Sequence, residues 1–325
     1  MNFLVLYTAA LTGALATTLA TVPLWRAWAA RTGLVDDPGH RKIHAEPVPL
    51  AGGLAVLTGL LLPVLAGVLL LETRPALGGS SVLAYGLERR ETQILAIFLG
   101  AIGMTWLGWL DDKIELRPAL KFAGQMVMAL LVAVAGIRVT LFVPSLLFSY
   151  AITILWIVTV TNAFNFMDNM NGLCAGLGAI GAWFFGWTAA LQGQYLVAIL
   201  SALSCGALAG FLPYNFPRAS IFLGDAGSHL VGFWMAVLAI LPHFHTPQHP
   251  RVWAVLSPLL ILAVPLGDLA WVVWIRWRLG QPFYLGDNNH LSHRLTRRGW
   301  SRADAVLLIW LLGCLGGVGA YVLFD

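Results

Sequence analysis

Charge is scarce in this chain: Asp, Glu, Lys and Arg make up 10% of its 325 residues, where a soluble domain carries about 25%. With 59% hydrophobic residues, too little polar surface remains to face water, which excludes soluble cofactor-binding folds and makes the lipid bilayer the expected surroundings. Cysteine is nearly absent as well. Cys174, Cys205 and Cys314 stand singly in apolar runs, so no disulfide framework and no zinc spacing can be drawn. No basic segment precedes the first apolar run, which therefore reads as a retained span rather than a cleaved signal peptide. Neither a lipidation motif nor a low-complexity tail is present, and no nucleic-acid partner is expected.

Apolar runs long enough to cross about 30 Å of hydrocarbon lie near residues 3–25, 50–71, 92–110, 118–136, 145–162, 172–191, 195–213, 226–242, 252–274 and 303–324. They predict an all-α, polytopic integral membrane protein of about ten transmembrane helices, forming one domain over residues 1–325. The ninth run is interrupted by Pro258 and Pro265, which predicts a broken helix. Alternating sides put fourteen Lys and Arg residues in the linkers after odd-numbered spans and five in the others, namely Arg74, Arg89, Arg90, Arg138 and Arg251. That bias places the odd linkers in the cytoplasm and both termini outside.

Polarity is concentrated where lipid solvation alone would not put it. Asn162, Asn165, Asp168, Asn169 and Asn171 crowd the run NAFNFMDNMNGLCAG, Asn162 to Gly176, at the mouth of two hydrophobic spans. GWLDDK (Gly108–Lys113), FLGDAGSH (Phe222–His229) and GDNNHLSHRL (Gly286–Leu295) do the same, and all four fall in odd linkers, as does DDPGHRKIHAEPVPLAGG from Asp36 to Gly53. Five distant loops are thus expected to share one cytoplasmic face.

Asp111, Asp112, Asp168 and Asp225 would crowd carboxylates onto that face, where repulsion raises pKa values unless a cation is present. Oxygen ligands without paired cysteines favour a hard ion, Mg²⁺ or Mn²⁺. Asp225 is either an N-cap of the eighth span or a metal ligand. Its neighbours Gly224 and Gly227 would let helix N-terminal amides approach a phosphate. His290, His293 and Arg294 offer donors to phosphate oxygens, against the alternative of a solvated basic loop; a zinc site there is short of a third ligand. Asp268 lies inside the ninth span, where a lone lipid-facing carboxylate is costly, so it is expected to be buried against protein or water. Lys42 and His44 belong either to a rigid juxtamembrane turn or to a phosphate pocket.

Taken in order, DDPGHRKIHAEPVPLAGG, GWLDD, NAFNFMDNMNGL, GDAGS and HLSHRL resemble the polyprenyl-phosphate N-acetylhexosamine-1-phosphate transferases. The similarity is to the bacterial enzymes that begin O-antigen, enterobacterial common antigen and teichoic acid synthesis. The phospho-MurNAc-pentapeptide translocase carries a three-histidine run that HLSHRL does not reproduce. The resemblance implies transfer of a sugar 1-phosphate from a UDP-N-acetylhexosamine, GlcNAc foremost, to undecaprenyl phosphate, with release of UMP at the cytoplasmic face of a bacterial inner membrane. It implies Asp111 and Asp112 as an essential pair, Asp225 and Asn165 as ligands of Mg²⁺, and His290, His293 and Arg294 as contacts to the sugar nucleotide; Asp168 is a further catalytic candidate, and Lys42, His44, Asn162, Asn171 and Gly227 are candidate substrate contacts. A homodimer is compatible with it.

Two positions depart from the family pattern. Asn171 stands where bacterial relatives often carry the second Asp of D-x-x-D-G, and Ser292 where many carry a His; both bear on sugar or base preference. A Mg²⁺-dependent prenyltransferase of the aromatic-acceptor type would leave the Asn-rich and GDAGS stretches unexplained. A transporter, suggested by Asp268 and the broken span, would need midplane binding groups and a repeat.

Overall fold

In lipid no water is available to the backbone, so an apolar run must satisfy its own N–H and C=O groups and winds into helix. The computed structural model describes residues 3–37, 46–73, 81–141, 143–242, 244, 251–282 and 288–324. Their helices are α1 (Phe3–Thr32), α2 (Gly52–Thr73), α3 (Ser81–Ile114), α4 (Pro118–Val134), α5 (Leu146–Met167), α6 (Leu173–Leu191), α7 (Tyr195–Asn215), α8 (Gly224–Ile240), α9 (Ser257–Ile261), α10 (Ala263–Arg278), α11 (Leu291–Arg297) and α12 (Arg302–Phe324). A two-residue antiparallel ladder, β1 (Val35–Asp36) with β2 (Val48–Pro49), closes the loop between α1 and α2, pairing Val35 with Pro49 and Asp36 with Val48.

Every expected apolar run is helical, but the count of spans is not ten by length. Among the described residues seven helices are long and apolar enough to cross a membrane, and the bent pair ending in α10 makes an eighth. Helices α4 and α8 have 17 residues each, about 25 Å, short of the ~30 Å hydrocarbon core. Helix α3 begins eleven residues before its apolar run, at Ser81, since Leu87-Glu88-Arg89-Arg90-Glu91 are strong helix formers. The ninth span breaks as expected: α9 and α10 meet at 72°, with Pro258 in the first turn of α9 and Pro265 in that of α10.

Helix α8 is the axis of the bundle. It is buried from Gly224 to Ala239 save Asp225 and packs against α2, α3, α5, α6 and α7. Outward-facing leucines such as Leu65 (60% exposed), Leu99 (55%) and Leu147 (80%) coat the perimeter, a surface that only lipid tolerates. Small residues set the inner spacing, as at packed transmembrane interfaces. A Cβ on Gly53 would lie 2.3 Å from the Gly227 nitrogen, and one on Gly108 would lie 2.2 Å from the Asp225 carbonyl oxygen, so α2 and α3 touch the first turn of α8 backbone to backbone. Gly52 and Gly53 then donate N–H bonds to the carbonyls of Phe222 and Leu223, each 2.9 Å.

These contacts leave no room for growth. Gly53→Ala is expected to lower the thermal unfolding temperature in detergent, at a cost of about 2 kcal/mol or more, whereas Gly67→Ala, with nothing within 4 Å, leaves it unchanged or raised. Equal unfolding temperatures for the two variants would contradict this packing.

Candidate active site

The last turn of α3 presents Asp111 and Asp112, and the contact at Gly108 brings that turn onto the start of α8. Asp112 accepts the N–H of Asp225 through Oδ1 (2.8 Å) and of Ala226 through Oδ2 (3.0 Å). A carboxylate from one helix thereby caps another, where orphan amides and the positive end of the dipole favour negative charge. Gly224 makes this possible with φ +73°, since a Cβ there would meet Asp112 Oδ2 at 2.7 Å. The expectation that the Gly224–Gly227 amides face a phosphate is therefore corrected: Asp112 holds two of them. Gly227 itself packs closely against Gly53.

Asp111 and Asp225 converge on a group that sequence reasoning missed. Lys121 Nζ lies 2.6 Å from Asp111 Oδ2 and 2.6 Å from Asp225 Oδ2, with the three side chains 19%, 12% and 30% exposed respectively. Asp111 Oδ1 accepts the Leu116 N–H at 2.8 Å. Asn165 Nδ2 donates to Asp225 Oδ1 (2.7 Å) and to Ser228 Oγ (2.9 Å). One signal pointed to Lys121: it sits four residues into α4, whose first turn disfavours a cation, so a Lys there calls for an anionic partner.

The end of α5 carries the rest. One turn joins Asn165, bound to Asp225, with Phe166, whose ring meets His290 edge-on at 5.5 Å and lies under the Arg276 guanidinium at 4.9 Å. Asn169 Oδ1 accepts the Ser292 hydroxyl at 2.6 Å. Asp268, 5% exposed, faces protein as expected: it accepts His290 Nδ1–H at 2.7 Å and the Leu291 N–H at 2.6 Å. The α11 segment is thus fastened to the break in the ninth span. Arg294 stacks over Trp271 at 4.6 Å. Burial, then His290, Arg297 and Arg302, lower the His293 pKa, which keeps that ring neutral near pH 7.

Two candidates stand apart and two more are not among the described residues. Asn162 donates to Gln125 Oε1 (2.7 Å) and to the Val158 carbonyl (2.8 Å), which makes it a bond between α5 and α4 rather than an open substrate contact. Asn171 reaches the Pro217 carbonyl at 3.2 Å and remains at the surface. Lys42 and His44 lie outside the described residues. Strand β2, which follows them, is tied to the segment leading into α8, since Phe222 N–H donates to the Pro49 carbonyl at 2.8 Å.

Asp168 closes α5, where the dipole opposes an anion. Burial pushes its carboxyl well above the usual carboxylate range, and the charges of Asp225 and Asp112 add to the push. A raised folded-state pKa favours the protonated form, so the stability it contributes is full at low pH and is lost as pH rises through that pKa. Asp168→Asn, neutral throughout, is expected to unfold a few degrees above the parent at pH 8 in metal-free detergent, the gap closing toward pH 4. A gap independent of pH would contradict this.

Residues 94–243 match the family described as glycosyl transferase family 4. A Bacillus subtilis (strain 168) protein named "Probable undecaprenyl-phosphate N-acetylglucosaminyl 1-phosphate transferase" is 35% identical over 317 residues, covering 95% of this chain and 82% of its own length. The decaprenyl-phosphate N-acetylglucosaminephosphotransferase of Mycobacterium tuberculosis (strain ATCC 25618 / H37Rv) is 34% identical over 331 residues, covering 93% and 78%. The undecaprenyl-phosphate alpha-N-acetylglucosaminyl 1-phosphate transferase of Escherichia coli (strain K12) is 26% identical over 304 residues, covering 88% and 76%. With likeness along nearly its whole length, the chain belongs to the polyprenyl-phosphate N-acetylhexosamine-1-phosphate transferases of glycosyl transferase family 4.

Proposed function

We propose that the polar end of this bundle transfers N-acetylglucosamine 1-phosphate to a polyprenyl phosphate, with a UDP-sugar as donor and UMP as leaving group. The observation that carries the reading is the meeting of Asp111, Asp225 and Lys121 with Asn165 and the His290 segment at one helix end. An oxygen of the lipid phosphate attacks the sugar-bearing phosphorus, and the bond from that phosphorus to the bridging oxygen breaks, its electron pair leaving with UMP. A phosphate monoester has its second pKa near 6, so the attacking group needs no strong base near pH 7.

Such transfers are governed by positioning and charge neutralisation. Lys121 supplies a cation between the two carboxylates, and Asp111, fixed by the Leu116 N–H, holds it in place. Asp112 has both oxygens committed to the α8 amides, which suits it to shaping the Asp225 backbone and not to covalent attack. Asp268 fixes the His290 ring with Nε2 left for a phosphate or sugar oxygen, and His293 and Arg294 border the same segment.

The donors also fit a divalent ion. Two carboxylate oxygens already converge on one cationic nitrogen at 2.6 Å. Among the described residues no group of three His, Cys, Asp or Glu could hold a metal alone. One or two carboxylates with no soft ligand is the set Mg²⁺ takes when substrate phosphates complete its shell. Asp225, with Asp111 or Asn165 beside it, would hold that ion, which when bound would neutralise the diphosphate. Lys121 would then be free to turn toward the acceptor phosphate. We place the site at the cytoplasmic face of a bacterial inner membrane, on the positive-inside bias.

Asp111→Asn, Asp225→Asn and Lys121→Met are each expected to lower UMP release from UDP-GlcNAc with undecaprenyl phosphate by about 10²-fold or more, and chelation to abolish it until Mg²⁺ is restored. Turnover surviving thorough chelation would remove the metal. Asp268→Asn and His290→Ala should each cost roughly tenfold or more, and the double variant no more than the worse single change, because both act through one imidazole. Fully additive losses would contradict the positioning role of Asp268.

A further inference from the structure

A cavity far from this chemistry is lined by described residues. It has a volume of roughly 400 Å³ between α3, α7 and the end of α8, and its polar lining includes Tyr85, Arg89, Arg90, Gln93 and Tyr195. Arg89 and Arg90 precede Asp111 by 21 to 22 residues of unbroken helix, about 32 Å at 1.5 Å per residue, which is the thickness of the hydrocarbon core. The two guanidiniums therefore stand at headgroup depth on the membrane face opposite the carboxylates.

That face is poor in positive charge: two of the five basic residues in the even-numbered linkers line this one cavity. Arg89 bonds to the Tyr85 hydroxyl at 3.1 Å and Arg90 to Gln93 Oε1 at 2.7 Å, each using one of the five N–H donors of a guanidinium. Among the described residues neither pairs with a carboxylate, although Glu88 and Glu91 flank them in sequence. The lining is otherwise largely apolar, with Ile94 and Ile97 on α3 itself and Leu196, Val197, Leu200 and Leu241 facing it. Tyr195 is held flat against Phe3, ring centroids 3.6 Å apart.

We propose that this cavity binds the phosphate head of an anionic glycerophospholipid of the leaflet opposite the active end. Paired guanidiniums match phosphate oxygens in fork geometry, the tyrosine hydroxyls suit the interfacial belt, and the apolar wall receives the first methylenes of the acyl chains. A zwitterionic lipid carries its own ammonium against the same two arginines, so it is discriminated against.

Native mass spectrometry of the delipidated full chain, offered phosphatidylglycerol, phosphatidylcholine or glycerol 1-phosphate, tests this. Phosphatidylglycerol is expected to be retained and the other two not. Arg89→Gln with Arg90→Gln should weaken that retention by about tenfold or more while UMP release in neutral detergent and the unfolding temperature without lipid stay at parent values. Val197→Phe, which fills the cavity and leaves the charge, should weaken it likewise. Equal retention of phosphatidylglycerol by parent and variants, equal retention of phosphatidylcholine, displacement by glycerol 1-phosphate alone, or a change only in oligomeric state would overturn the assignment.

Discussion

Four carboxylates at the end of a lipid-embedded bundle persist only if their charge is met or suppressed, and this chain meets three of them and suppresses the fourth. Asp112 takes two backbone amides of α8, Asp111 and Asp225 share the Lys121 ammonium, and Asp168 is left with burial that favours its proton. Coulomb forces between half-buried groups are weakly screened, so each pairing also fixes where its helix must end.

The architecture follows from that constraint. Helix α8 is short because its first turn must stop within reach of Asp112, and α2 and α3 carry glycines where they touch it. The break near Leu262 turns α10 so that Asp268 points at His290 instead of lipid. Helix α5 ends at the crossing of these lines, with Asn165, Phe166 and Asn169 each bound to a different partner within little more than one turn.

Much of this was legible in the chain. Polar residues at the ends of apolar runs marked the right helix ends, and Pro258 and Pro265 marked the broken span. What stayed hidden depends on pairing across elements. Asp112 reads like Asp111 in sequence, yet one caps a helix and the other holds a lysine. Asn162 and Asn165 lie three residues apart in one polar stretch, but one faces Gln125 and the other Asp225. Gly227 could be foreseen as a site of close approach; that its neighbour would be Gly53 could not. Ser292, seen in sequence only as a missing histidine, secures α11 to Asn169. Lys121 was hidden because a basic residue beside a membrane helix ordinarily signals topology.

The coupling between Lys121 and Asp225 tests the central claim most directly. Thermal unfolding of the parent, Lys121→Met, Asp225→Asn and the double variant in metal-free detergent forms a complete cycle. The paired-charge account expects the double variant to be less destabilised than the sum of the singles by about 1 kcal/mol or more; additivity within about 0.5 kcal/mol would show that the two charges do not hold one another.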